Sequence, residues 1–193
     1  MKHLPFALTT LRLLLGPAAL LGALTGIPRP VFLLILVTGT LSDIYDGVLA
    51  RRLGVATPAL RRYDSITDVI YYLFILGTAW ILCHEVIVRN WIWIALILAS
   101  EAAVVGLCYA KFGKYPATHS YLAKFYGLCL LAGLIALLVF DVGRWAIIAL
   151  ALVALITNLE IIAIHLVMNR PPVDVKSIFR IPKTGKPATP DRH

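Results

Sequence analysis

Asp43-Ile44-Tyr45-Asp46-Gly47-Val48-Leu49-Ala50-Arg51, followed eight residues later by Leu60-Arg61-Arg62-Tyr63-Asp64-Ser65-Ile66-Thr67-Asp68, decides how this chain is read. Four of the ten acidic residues of the protein lie in this one stretch. The first pair of aspartates is spaced i, i+3 and the second i, i+4, so each pair falls on one face of a helix. Both pairs border long apolar runs. A carboxylate in or beside a bilayer is costly, so such a cluster marks a functional site. Two carboxylate pairs facing each other form an oxygen cage suited to hard divalent cations such as Mg2+ or Mn2+.

The surrounding sequence is that of a membrane protein. The chain is 60% hydrophobic and only 15% charged, against roughly 25% charged in a soluble domain. A spanning helix takes about 20 apolar residues, and six candidates lie at 8–25, 31–50, 65–83, 91–110, 121–140 and 144–168. The breaks between them carry Gly, Pro or charge, as at Gly26-Ile27-Pro28-Arg29-Pro30. Short loops make neighbouring helices antiparallel, and an open strand cannot cross lipid. The expected fold is therefore an all-α integral membrane bundle of six transmembrane helices. Residues 1–170 form the transmembrane domain and 171–193 a basic flexible tail. The first segment reads as an uncleaved helix rather than a signal peptide.

The net charge of +8 points to the membrane rather than to nucleic acid, because the charges collect at span ends. With the N-terminus cytoplasmic, the inside ends hold Lys2, Arg12, Arg51, Arg52, Arg61, Arg62, Lys111, Lys114, Lys124 and the tail from Arg170, and the outside ends only Arg29, Arg89 and Arg144. That positive-inside bias puts both termini and all four aspartates on the cytoplasmic side. The turn from Arg52 to Tyr63 has room for a short surface helix. Cys83, Cys108 and Cys129 lie in separate apolar segments without CxxC spacing, which excludes a disulfide framework or zinc site from the expectations.

The spacing of the opening stretch resembles the signature of the CDP-alcohol phosphotransferase family, DxxDGxxARx8GxxxDxxxD. Seven of its eight fixed positions are present, and the departure is Leu60 in place of the second glycine. Leu8-Thr9-Thr10-Leu11-Arg12 is similar to the start of that family's first helix, and the resemblance runs over residues 5 to 168. It implies transfer of a phosphatidyl or other phosphoalcohol group from a CDP-linked donor, CDP-diacylglycerol, to an alcohol, with release of CMP in phospholipid biosynthesis. It implies two Mg2+ or Mn2+ ions on Asp43, Asp46, Asp64 and Asp68, with Asp68 also the general base. It implies a homodimer in a bacterial or archaeal cell membrane, with the site facing the cytoplasm and no nucleic-acid partner. From the residues themselves, Gly47 and Ala50 leave the helix face beside Asp43 and Asp46 open to a nucleotide, and Arg51 offers a guanidinium fork to phosphate.

The acceptor is less legible. Lys111, Lys114, His119 and Lys124, at the turn between spans 4 and 5, are candidates for an anionic alcohol. Where phosphatidylglycerophosphate synthases carry a GKxKT motif, only Lys124 corresponds. Glycerol 3-phosphate, inositol, inositol phosphate, serine and a second lipid stay open. Within the spans, Glu101 faces either the acceptor cavity or a structural partner, Asn158 and Glu160 serve helix packing, and His165 sits at the interface. Trp80, Trp91, Trp93 and Trp145 suit an aromatic belt. A divalent-cation transporter and a catalytically inactive scaffold are the alternative functions.

Overall fold

The computed structural model describes residues 4–55, 57–113 and 121–168, without the side chains of Pro58 and Arg61. The tail, Lys114 and His119 lie outside the described residues. Among the described residues there are six helices and no strand: α1 (Leu4–Thr25), α2 (Arg29–Arg52), α3 (Pro58–Arg89), α4 (Trp91–Phe112), α5 (Tyr121–Leu138) and α6 (Gly143–Val167). All six are long and apolar enough to cross a membrane. Leu14, Leu21, Leu24, Leu34 and Leu73 are 61% to 66% exposed, an arrangement costly in water and natural against lipid tails.

The chain divides into two compact units. The first holds α1, α2, α3 to Val88 and residues Leu134–Gly143, and the second holds Arg89–Gly133 and the chain from Arg144 onward. In the first unit the buried residues of α1 are Pro5, Thr9, Arg12, Gly16, Ala19, Gly22 and Ala23. Steps of three and four residues put Thr9, Arg12, Gly16, Ala19 and Ala23 on one face. The small members of this stripe let α3 come close: a Cβ on Gly16 would stand 3.2 Å from the Phe74 ring. Helix association in lipid depends on such close packing, since lipid tails are as apolar as the helices.

The turn between α2 and α3 is short, and backbone hydrogen bonds tie its described residues. Leu53 N–H reaches Leu49 O, Val55 N–H reaches Ala50 O at 3.0 Å, and Gly54 adopts φ +66°. The left-handed residue and the reach back to Ala50 form a Schellman-type stop, and glycine occupies φ > 0 without steric cost. Thr57 then caps α3, its Oγ1 accepting the Leu60 N–H at 3.2 Å, with Pro58 at the first helical position, where a missing N–H costs nothing. The helix thus begins at Pro58 rather than 65, and among the described residues between Arg52 and Pro58 there is no separate helix. It also continues past the expected break to Arg89, with a kink where Cys83 takes φ −133°, ψ 27°. The Cys83 thiol donates to Leu137 O at 3.3 Å.

At the other end of this unit Arg29 and Asp141 meet at 3.4 Å, which puts the α1–α2 and α5–α6 turns at one end, as alternating spans require. In the second unit Asn158 Nδ2 donates to Ser100 Oγ at 2.9 Å, the packing role expected of Asn158. His165 lies in the last turn of α6 and is 1% exposed. Its Nδ1 lies 2.7 Å from Ile161 O and its ring beside Phe112. The cysteines are unpaired, Cys83 and Cys108 buried and Cys129 half-buried.

A close α2–α3 contact lies at Gly39, where a Cβ would stand 2.5 Å from Tyr71 Oη and 2.8 Å from its Cζ. The Tyr71 hydroxyl is buried without a hydrogen-bond partner. Gly39→Ala is expected to destabilise the protein by about 1–3 kcal/mol through overpacking. Adding Tyr71→Phe removes the nearest clashing atom and should recover part of that loss in thermal unfolding. An additive double mutant would show that the two residues do not oppose each other.

Candidate active site

All four signature aspartates come together in the first unit, and the residue that gathers them is Arg12. Its Nη1 pairs with Asp43 Oδ1 and lies 2.5 Å from Asp68 Oδ1. Its Nη2 lies 3.0 Å from Asp46 Oδ2 and 2.5 Å from Asp64 Oδ1. The Arg12 side chain is 2% exposed. Three helices build the cluster: α1 supplies the cation, the end of α2 one pair of carboxylates and the start of α3 the other. The capped turn at Gly54 and Thr57 is what brings the second pair back over the first.

Burial grades across the site. Asp46 is at the closed end, with its side chain 5% exposed, and it also accepts from Thr9 Oγ1 at 2.9 Å. The same hydroxyl lies 3.0 Å from Pro5 O, so the two acceptors share one proton. Asp64 and Asp68 are about one-third exposed and Asp43 one-half, which opens the site on their side. Thr10 Oγ1 and Tyr63 Oη are 3.1 Å apart, and the Tyr63 ring stacks on Phe6 with centroids 4.9 Å apart. These contacts fix the start of α3 against α1, next to Asp64.

Arg51 is exposed at the end of α2, and its Nη1 would stand 3.5 Å from a Cβ on Gly47. Gly47 thus leaves the guanidinium free to lie across the helix. Ala50 faces inward and is 7% exposed. Leu60 occupies the third residue of α3, a position with ordinary helical geometry, so the replacement of glycine adds a side chain without straining the backbone. Among the acceptor candidates, Lys111 and Lys124 belong to the second unit. The Lys111 ammonium donates to His165 O at 2.7 Å and Leu166 O at 2.9 Å, closing the carboxyl end of α6. Lys124 is exposed.

The sequence model of the CDP-alcohol phosphatidyltransferase family matches residues 2–159. The chain belongs to this family. No curated protein and no solved structure matched it. The family is one of membrane transferases that move a phosphatidyl group from a CDP-alcohol in phospholipid synthesis. In this chain the match takes in Arg12 and all four aspartates.

The donors suit a divalent ion. One carboxylate oxygen each from Asp43, Asp64 and Asp68 can lie within 4.8 Å of the others, and carboxylates are the hard ligands that Mg2+ and Mn2+ select. Charge gives the same answer, because four carboxylates against one guanidinium leave three formal negative charges unbalanced.

Arg12, Thr9, Thr10 and Tyr63 are the site residues that sequence reading missed. Arg12 was legible in principle, since it alone is charged on the small-residue stripe of α1. Asp64→Asn should relieve like-charge crowding and raise metal-free stability by about 0.5–2 kcal/mol, in the manner of other functional-site substitutions. The same variant should lose most of the thermal stabilisation that Mn2+ gives the wild type. A lower melting temperature in EDTA would show that the carboxylates do not repel as described.

Proposed function

We propose that the chain transfers a phosphatidyl group from CDP-diacylglycerol to a small alcohol, at a site opening on the cytoplasmic face. The observation that carries this reading is the convergence of Asp43, Asp46, Asp64 and Asp68 on one point at the end of two consecutive spans. Family membership supports the reaction class, and the excess of Lys and Arg at that end supports the orientation.

Asp43, Asp46, Asp64 and Asp68 would hold Mg2+ or Mn2+, two ions by the number of carboxylates. When bound, such ions neutralise a pyrophosphate and steady its attacking and leaving oxygens. The residues supply the rest. Asp68, one-third exposed on the open side, takes the proton of the acceptor hydroxyl. The hydroxyl oxygen bonds to the lipid-side phosphorus, the bond from that phosphorus to the bridging oxygen breaks, and CMP leaves. Arg51, lying over Gly47, presents two N–H groups to a donor phosphate. Gly47 leaves room for that guanidinium, whereas Ala50 faces inward. Thr9 holds the Asp46 carboxylate in place while the other three aspartates face the open side. Lys124, exposed on α5, is proposed as an acceptor-binding residue, whereas Lys111 is committed to the end of α6; two copies of the chain form the working unit.

A transporter reading fits less well, because the carboxylates lie at one end of their helices rather than at mid-span. Purified protein with CDP-diacylglycerol, Mg2+ or Mn2+ and a panel of alcohols should release CMP with one acceptor. Asp68→Asn should lower the rate by about 10²- to 10⁴-fold, the usual worth of a positioned base. Intact CMP release in that variant would remove Asp68 from the role of base.

A further inference from the structure

We propose that Arg12 is the resident counter-cation of this site. It holds the four aspartates together in the metal-free protein and yields their oxygens when the divalent ion binds. The inference rests on the reading of the aspartates as the metal centre of the transferase.

The geometry of the guanidinium is the first ground. Arginine meets a carboxylate best through two parallel N–H bonds. Arg12 makes no such fork. Its Nη1 is divided between Asp43 and Asp68, and its Nη2 between Asp46 and Asp64. Its Nε is buried with no hydrogen-bond partner. Asp68 Oδ1 is close in charge contact but has no aligned hydrogen bond. Four carboxylates from two helices thus point at a centre, and the group at that centre is planar. The guanidinium thus meets its four partners without a single forked pair, and its Nε is left without a partner.

Competition is the second ground. Asp43, Asp64 and Asp68 are both the metal-competent group and three of the four Arg12 partners. The same carboxylates cannot fully serve both cations. A divalent ion brings twice the charge to a site short of positive charge, so loading displaces the guanidinium from at least part of its contacts.

Burial explains why the arginine is there. Without it, four carboxylates, one of them almost fully buried, would face one another with no cation between them. With it, the site stays assembled between metal-binding events. The cost is a lower apparent metal affinity, since only the fraction of molecules with Arg12 withdrawn can bind.

A purely structural arginine and a competing one differ in sign. If Arg12 only braces the site, its loss loosens the ligands and weakens metal binding. If it competes, its loss strengthens metal binding while lowering metal-free stability. The experiment is Mn2+ binding, followed by electron paramagnetic resonance, to full-length protein in nanodiscs, with thermal unfolding in EDTA alongside. Arg12→Gln is expected to bind Mn2+ about tenfold more tightly than wild type, the factor for a competent fraction of about one in ten. Its melting temperature should drop in EDTA and return with Mn2+. If Arg12→Gln does not survive without metal, Arg12→Lys decides. Lysine keeps the charge but cannot span four carboxylates, so Mn2+ should still bind more tightly than to wild type.

Equal or weaker Mn2+ affinity in both variants overturns the proposal. If Asp64→Asn abolishes Mn2+ binding in that same case, the metal centre stands and only the exchange is lost. If the wild type binds no Mn2+ and releases CMP without a divalent ion, the metal reading falls as well.

Discussion

One buried guanidinium facing four carboxylates is the interaction on which the first unit depends. An unpaired arginine could not be buried at 2% exposure, and the aspartates could not converge without a cation among them. The contact therefore fixes the depth of α1 relative to α2 and α3. The stripe that continues from it, Gly16, Ala19 and Ala23, is small for a related reason. A helix held this close by charge at one end needs its remaining length to be slender, or the carboxylates would be pulled apart.

Hydropathy was a good guide to the spans and a poor one to the helix that matters most. All six crossings were legible because apolar runs of the required length appear between breaks rich in Gly, Pro or charge. The start of α3 was not. Residues 58–64 are largely polar, so they carry no signal of lipid contact, yet they are helical. What fixes them is the Thr57 cap and the proline at the first position, which are local, together with the tertiary contacts of Tyr63 with Thr10 and Phe6. The far end of α3 was missed for the opposite reason. His84 to Asn90 looks like a loop by composition, but charge at a helix end does not stop a helix, and the kink at Cys83 absorbs the change of direction.

The candidate site was legible in part for the same kind of reason. Paired aspartates at i, i+3 and i, i+4 state their own geometry, because the spacing alone puts each pair on one face. Arg12 shows its place only through its position around the helix. Counted by position along the chain it is one more basic residue near a membrane surface. Counted by position around the helix it lies inward with Thr9 and Gly16. Periodicity around the axis, rather than distance from the span end, separates a functional arginine from an anchoring one. Lys111 shows the converse. Its sequence neighbourhood made it an acceptor candidate, while its ammonium closes the carboxyl end of α6, a role that the helix dipole favours.

The placement of the charges also bears on how a reaction can run at a membrane edge. Carboxylates at the bilayer centre would need full neutralisation at all times, and an exchange of cations there would be slow and costly. Roughly two to three turns from the end of their helices, the aspartates have a closed side, where Asp46 is held by Thr9 and Arg12, and an open side, where Asp43, Asp64 and Asp68 reach the surface. The closed side keeps the geometry, while the open side leaves three of the four carboxylates accessible. A lipid-linked donor can approach from the bilayer and a polar acceptor from water only at such a boundary. The crowding of four carboxylates around one guanidinium is thus a local strain that the fold tolerates, as functional sites commonly do.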